Sequence, residues 1–304
     1  GDNRDSSGFI KVIKKFMSLT TRIFHFLARM PLPLMQRLGA ALGWLVWCLS
    51  PSYRRNFQAN VQAAGVAWHD ARPAVAAIGC MVAELPWVWM RPHSATLDGL
   101  VKWDGAEYFE AAMQAGKGVI IMSPHIGAWE IGAQAIAEKF GPTHGPMIAL
   151  FRPARKAWLE PLVANARTRP YLDSAPTSLA GVRTLIRALR NGGYTAILPD
   201  QVPPLGQGVW APFFGRDVYT MTLLAKLAQQ TGAQVILTWC ERLPVGQGFC
   251  MHMRPFDAPE MKDATVSPEA SAAAVNRGVE RMVLDAPGQY LWGYARDKQP
   301  RAEG

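Results

Sequence analysis

A histidine and a glutamate stand five positions apart in GVIIMSPHIGAWEIGAQ, residues 118–134, where an apolar run gives way to a helical pattern. These residue types do proton chemistry. An imidazole takes and returns a proton near neutral pH, and a carboxylate holding one ring nitrogen leaves the other to face substrate as an oriented general base. Inside one regular helix His125 and Glu130 would lie roughly 140° apart and could not meet. His125 is therefore expected in the Pro-His-Ile-Gly loop, its ring folded back over the first turn. There Glu130 is favoured by the helix dipole and would hold one ring nitrogen. A lone His near a Glu is more often a surface or core pair, so the surroundings must decide between the readings.

The elements that would position this pair are legible. Val119 to Met122 is a short apolar run after Gly-Lys-Gly, which reads as an interior strand. Trp129 to Phe140 reads as a helix closed by Gly141. The chain begins with helices up to about residue 92 and then alternates strands with helices, which implies an α/β core. Strands are predicted at Leu100 to Trp103, Val119 to Met122, Met147 to Phe151, Thr195 to Leu198, Val235 to Trp239 and Phe249 to Phe256. Ser178 to Arg190 is the clearest helix: Ser178 caps it, Gly192 or Gly193 ends it, and Arg183, Arg187 and Arg190 form an outer ridge. Ser267-Pro268-Glu269 opens the last long helix. With no repeat or low-complexity linker, the economical division is a flexible leader over 1–16, a helical membrane-associating region over 17–92, and an α/β catalytic core over 93–304 that forms one domain with it.

Composition points to a membrane surface. A chain of 304 residues that is 49% hydrophobic can bury one large core, while 11 Trp and 12 Phe exceed what that core alone asks for. The net charge of +9 calls for an anionic partner. No zinc spacing, RNP-like motif or recognition helix points to nucleic acid, so an anionic lipid surface is the expected partner. Lys11, Lys14, Lys15, Arg22 and Arg29 interleave with Ile23, Phe24, Phe26 and Leu27, the pattern of an interfacial helix. Leu38 to Tyr53 is uncharged over sixteen residues, short of the ~20 that a span needs, and it contains Pro51. A peripheral or re-entrant helix is expected, and no cleavable signal peptide. Cys48, Cys80, Cys240 and Cys250 lack any CxxC spacing, which fits a reducing compartment, and Cys240 and Cys250 read as ordinary buried thiols.

Ser123, Pro124, Gly127 and Trp129 complete S-P-H-x-G-x-W-E around the pair. This resembles the H-x4-D/E signature of the lysophospholipid acyltransferase superfamily, and most of all its bacterial lipid A late acyltransferases of the lauroyl and myristoyl type. Ala149-Leu150-Phe151-Arg152-Pro153 resembles the Tyr-Arg-Pro block of that family. Leu198-Pro199-Asp200-Gln201 with Val209 to Gly215 resembles its Pro-Asp-x-Asp loop and Pro-Phe-Phe-Gly segment, and Pro287 to Trp292 resembles its Pro-x-Gln-Tyr-x-Trp block. Four such blocks in order cover most of residues 17 to 298. Departures fall at Ala128, at Gln201 with the prolines after it, and at Gly293 to Lys298, which keeps only part of a basic run. They bear on the acceptor more than on the reaction.

The resemblance implies a mixed, mostly parallel central sheet flanked by helices, of the glycerol-phosphate acyltransferase type. It also implies an acyl carrier protein thioester as donor, with acyl-CoA as the alternative, and a lipid A precursor or another phosphorylated lipid as acceptor, at the cytoplasmic face of the bacterial inner membrane. His125 would deprotonate the acceptor hydroxyl and Glu130 would orient the ring. Gly127 backbone amides or Arg152 would meet the oxyanion, and Arg152 could instead bind an acceptor phosphate. Arg167 and Arg169 are further phosphate candidates, Trp129 lines the site, and Asp200 holds the loop that shapes the cleft. This chemistry asks for no metal or redox cofactor. A different lipid acceptor, a hydrolase using the same pair or Ser123, and a non-catalytic lipid-binding protein are the alternatives.

Overall fold

The computed structural model describes residues 22–151 and 169–302. Arg152 and Arg167, like Lys11, Lys14 and Lys15, therefore lie outside the described residues. After a short helical segment over 22–28 come α1 (Leu32–Leu49), α2 (Pro51–Ala63), α3 (Trp68–Ala71) and α4 (Pro73–Met90). Next follow β1 (Val101–Asp104), α5 (Ala106–Gln114), β2 (Val119–Met122), α6 (Trp129–His144), β3 (Met147–Phe151), β4 (Leu172–Pro176), α7 (Leu179–Arg190) and β5 (Tyr194–Ile197). A hairpin of β6 (Gly208–Phe213) and β7 (Arg216–Met221) leads to α8 (Leu223–Thr231), β8 (Gln234–Arg242), β9 (Phe249–Pro255) and α9 (Pro268–Asp285).

Seven strands form one sheet in the order β1-β9-β8-β2-β5-β3-β4. Every neighbouring pair is parallel except β8 with β9. The sheet is thus mixed and mostly parallel, as the resemblance implies. Its central strand β2 is buried along its whole length, the expected state of a strand covered on both faces. Alternation sends Ile120 and Met122 into a core shared with α2, α7, α8 and α9, and Val119 and Ile121 into a second core under α5 and α6.

The predicted strands are all present, Val119–Met122 and Met147–Phe151 with the expected bounds and the others with ends shifted by at most three residues. Strand β4 and the hairpin go beyond the prediction. Leu-Asp-Ser-Ala-Pro carries only two buried residues out of five, and Pro212 interrupts β6, so neither has a strand-like pattern. The Phe-Phe-Gly segment is the hairpin's two-residue turn: Phe213 pairs with Arg216, and Phe214 (φ 46°) and Gly215 (φ 72°) are both left-handed, the backbone that a tight hairpin demands. Helix α6 runs on past Gly141 to His144. Gly141 serves packing there, since a Cβ would overlap the Tyr171 ring, and Gly145 (φ 81°) follows the helix end. Ser178 and Ser267 cap α7 and α9 as predicted, accepting from the amides of Gly181 and Ala270.

Helix α1 lies against α4 at Gly39, Gly43 and Gly79. A Cβ at Gly79 would overlap the Gly39 carbonyl oxygen and the Gly43 backbone. The approach is locked by a buried polar chain in which Gln36 Nε2 donates to Glu84 Oε1 (3.0 Å) and Arg242 Nε donates to the same oxygen (2.7 Å). Thus α1 and α4 are tied to strand β8 by a charge pair whose members are both buried, and removing either partner would strand the other. Gly79→Ala would gain ~1 kcal/mol of helix propensity, yet it must push two backbones apart. We expect a net destabilisation of about 1–3 kcal/mol, read as a lower denaturant midpoint; an unchanged or higher midpoint would refute this account of the packing.

Candidate active site

Strands β2 and β5 are parallel neighbours in the register Met122↔Ile197. The chain leaving each carboxyl end therefore enters the same space, where ligands of α/β sheets are usually met. From β2 comes Ser123-Pro124-His125-Ile126-Gly127-Ala128, and from β5 comes Leu198-Pro199-Asp200-Gln201. Asp200 is buried and receives two hydrogen bonds from one residue. The His125 backbone N–H donates to Oδ2 (2.9 Å) and ring Nδ1 lies 2.7 Å from Oδ1. A buried carboxylate accepts, so Nδ1 carries the proton and the Nε2 lone pair faces outward. Gln201 Nε2 lies 3.2 Å from that lone pair and donates to it.

The ring partner is therefore Asp200, 75 residues away, where Glu130 was expected. The physical reason is direction. The His125 ring is turned toward the β5 side of the loop, with its edge against Trp129 at 4.8 Å between centroids, while the Glu130 carboxylate accepts from the Trp89 indole N–H on α4 (3.3 Å). Asp200 does more than shape a loop. Burial alone pushes its carboxyl pKa up, but the charge of His125, its two hydrogen bonds and the nearby Arg296 outweigh this and hold the pKa below the ordinary value of 3.8. Arg296 is the part of the C-terminal basic run that this chain keeps. It is buried, donates to the Tyr219 carbonyl (2.6 Å) and Thr220 Oγ1 (3.0 Å), and its own pKa is lowered by burial.

The 287–292 block clamps the histidine loop from the other side. Ile126 and Tyr290 form an antiparallel bridge. The Gly127 N–H donates to the Gln289 carbonyl (2.9 Å), and the Leu291 N–H donates to the His125 carbonyl (3.1 Å). The Gln289 side chain pairs with both backbone groups of Arg242 (2.8 Å each), as a strand would. Gly127 (φ 62°) is required here, because a Cβ would overlap the Cys240 carbonyl. Its amide is committed to Gln289, so the site expected there for an oxyanion is occupied by structure. Arg169 also differs from the exposed, phosphate-facing residue expected. It is buried, its guanidinium donates to the carbonyls of Arg91 (3.1 Å) and Pro92 (3.3 Å), and it fastens the end of α4 beside Glu138.

A histidine held by a buried carboxylate at the carboxyl end of a mostly parallel sheet is a site of the α/β class that can do proton chemistry. The whole chain carries the relationship further: residues 8–298 match the family described as bacterial lipid A biosynthesis acyltransferase, and the protein belongs to that family. It is 25% identical over 292 residues to the lipid A biosynthesis lauroyltransferase of Escherichia coli, covering 93% of this chain and 90% of that one. It is 31% identical over 189 residues to a lipid A biosynthesis acyltransferase of Haemophilus influenzae, covering 62% and 56%. A phosphatidylinositol mannoside acyltransferase of Mycobacterium tuberculosis is 26% identical over 172 residues, covering 55% and 52%. The protein is an acyltransferase.

Two measurements test this geometry. Asp200→Asn should cost about 10³–10⁴ in kcat, the scale of losing a base's orienting carboxylate, and in a double-mutant cycle its loss should multiply with that of Glu130→Gln, since the two carboxylates act on different partners. Marked sub-multiplicativity would return Glu130 to the ring. Because the folded pKa of Asp200 is depressed, its stabilisation is full above 3.8 and is lost as pH falls below it. The unfolding-midpoint gap between wild type and Asp200→Asn should therefore narrow from neutrality to about pH 3; a constant gap would contradict the assignment.

Proposed function

We propose that the protein moves a fatty acyl chain from an acyl carrier protein thioester to a hydroxyl of a lipid A precursor, at the cytoplasmic face of the bacterial inner membrane. The observation that carries this reading is the His125–Asp200 pair, which leaves Nε2 as a base on the solvent side of a buried charge. The acceptor hydroxyl gives its proton to Nε2 as its oxygen attacks the thioester carbon. Collapse of the tetrahedral intermediate expels the thiolate, which recovers the proton from the imidazolium. Asp200 stabilises that imidazolium, and no covalent enzyme intermediate is needed. Glu130 acts as a positioning residue that joins the first turn of α6 to α4 through Trp89.

The family supports the acyl chemistry, and the names of its members support the acceptor. The carrier-protein donor rests on charge: a chain of net +9 suits an acidic carrier. Arg152 and Arg167 remain proposed contacts for acceptor phosphate, with Trp129 beside the base. The membrane location is supported by α1. Its Met35, Gly39 and Gly43 face α4, while Leu34, Leu38, Leu42, Leu45 and Leu49 are exposed along the other side. Helices Leu32–Leu49 and Trp68–Met90 are both long and apolar enough to cross a bilayer. One apolar stripe on a packed helix, with Arg29, Arg37 and Arg55 exposed around it, fits a helix lying in the interface.

A second acceptor has its own observation. The likeness to a phosphatidylinositol mannoside acyltransferase, with the departures at residues 293–298, makes a mannosylated phospholipid the next candidate.

The decisive assay supplies a defined acyl-carrier-protein thioester with a tetraacylated or pentaacylated lipid A precursor in detergent micelles. Wild type should form product and His125→Ala should lose at least about 10³ in rate. Intact thioester with a folded wild type would exclude this acceptor and send the assay to mannosylated phospholipid; equal rates for both proteins would remove His125 from the mechanism. Separately, Leu38→Glu with Leu42→Glu should weaken binding to anionic vesicles at least about tenfold, at roughly 1.4 kcal/mol per decade. Unchanged partitioning would move the membrane contact off α1.

A further inference from the structure

The acyl transfer proposed above passes through an oxyanion, and the loop that carries the base has its own amides committed. Ser123 N–H donates to the Ile197 carbonyl (3.0 Å), residue 124 is proline, and His125 N–H donates to Asp200. Ile126 N–H donates to the Pro124 carbonyl (2.8 Å), Gly127 N–H to Gln289 and Ala128 N–H to the Cys240 carbonyl (2.8 Å). Every amide from Ser123 to Ala128 is therefore used to hold the loop. Among the described residues, a side-chain donor stands at the reacting nitrogen: the Gln201 carboxamide, half-buried, with its Nε2 3.2 Å from His125 Nε2. It is carried by the same β5 loop as Asp200, so one short segment fixes both sides of the ring.

We propose that Gln201 is a catalytic residue that supplies the oxyanion donor of this enzyme. In the ligand-free protein its N–H satisfies the lone pair of the base. When the acceptor hydroxyl takes that place, the carboxamide is released a bond length or two from the thioester carbonyl. As the acceptor oxygen bonds to the carbonyl carbon and its proton passes to Nε2, the carbonyl π pair moves onto oxygen and the Gln201 N–H donates to it. The carbonyl re-forms as the carbon–sulfur bond breaks and the thiolate takes the proton back from Nε2. A polarised amide aimed at developing charge stabilises the transition state more than the ground state. The contact with Nε2 also keeps the donor in place without a substrate.

The inference rests on the acyltransferase reading, and the experiment separates the two. Gln201→Leu removes the donor at similar volume, and Gln201→Glu replaces the donating NH2 with an oxygen and tests the point should the leucine variant melt. Using the full chain, steady-state transfer from an acyl-carrier-protein thioester to the lipid acceptor is measured beside the slow hydrolysis of the same thioester without acceptor. Loss of one oxyanion donor should lower kcat about 10²–10³-fold, leave KM for both substrates within about threefold, and lower hydrolysis in parallel, because water and lipid pass through the same oxyanion. Rates near wild type in both variants, with His125→Ala inactive, would overturn the role of Gln201 and leave the reaction standing. Lost transfer with unchanged hydrolysis would also overturn it, making Gln201 a positioning residue for the acceptor. A folded wild type that neither transfers nor hydrolyses any acyl thioester would overturn both.

Discussion

A carboxylate buried between two strand ends is the constraint around which the rest of this site is arranged. Asp200 is charged, almost fully enclosed and within hydrogen-bond reach of two N–H groups of one residue. An isolated charge in that position would be costly, and a pair becomes tolerable only when its geometry is tight. Tightness here requires that the β2 and β5 exits be adjacent and in fixed register, that the histidine loop not swing, and that a cation stand by. The parallel β2–β5 pairing meets the first requirement, the 287–292 clamp the second, and the buried Arg296 guanidinium the third. The β2–β5 adjacency, the C-terminal block and the His125 ring thus all serve to keep one negative charge ionised in the interior.

The same constraint explains the unusual economy of the loop. A segment that must hold an imidazole against a buried carboxylate commits its backbone amides to that task. A chain with every amide engaged is stiff, which suits an oriented base, but it surrenders the amides that many acyl-transfer sites aim at an oxyanion. The Gln201 carboxamide on the β5 loop is the donor proposed to take their place. This distributes the chemistry over β2, β5 and the chain beyond them instead of concentrating it in one turn.

How much of this was legible in the sequence follows from what is local. His125, its loop, the strand before it and the helix after it all lie within residues 118–144; period and composition locate the strand and helix, and the motif's resemblance to the family singles out the histidine. The capped helix α7 and the paired β8–β9 region are equally local in their signals. The ring partner is a different kind of fact. His125 meets Asp200 only because β5 inserts beside β2 in the strand order, and no periodicity announces strand order. Reasoning along the chain therefore offers the nearest carboxylate, Glu130, which accepts from Trp89 on a helix packed from another direction. Arg169 illustrates the same limit. In the sequence it stands in a basic stretch that looks solvated, and only the fold turns it inward onto the carbonyls that close α4. Strand β4 was hidden because Asp173 and Ser174 give it no apolar rhythm; it is held at the sheet edge by its ladder with β3.

Helix α1 shows why composition alone could not decide between core and membrane. Its glycines and its leucines answer to different partners. Gly39 and Gly43 let the backbone approach α4 closely, a device that gains from dispersion contacts and does not depend on water to drive it. Among the described residues the leucines on the opposite side stay largely exposed. A helix stabilised only by burying those leucines would have turned them inward. This one is instead clamped by its small residues and by the Gln36–Glu84–Arg242 chain, which frees its bulky face for another apolar medium. Because that polar chain ends on β8, whose Cys240 carbonyl also anchors the histidine loop through Ala128, the apolar face and the base are fixed to the same strand. The orientation of α1 is therefore tied to that of the site, a rigid connection that would suit the proposed transfer to a lipid held beside it.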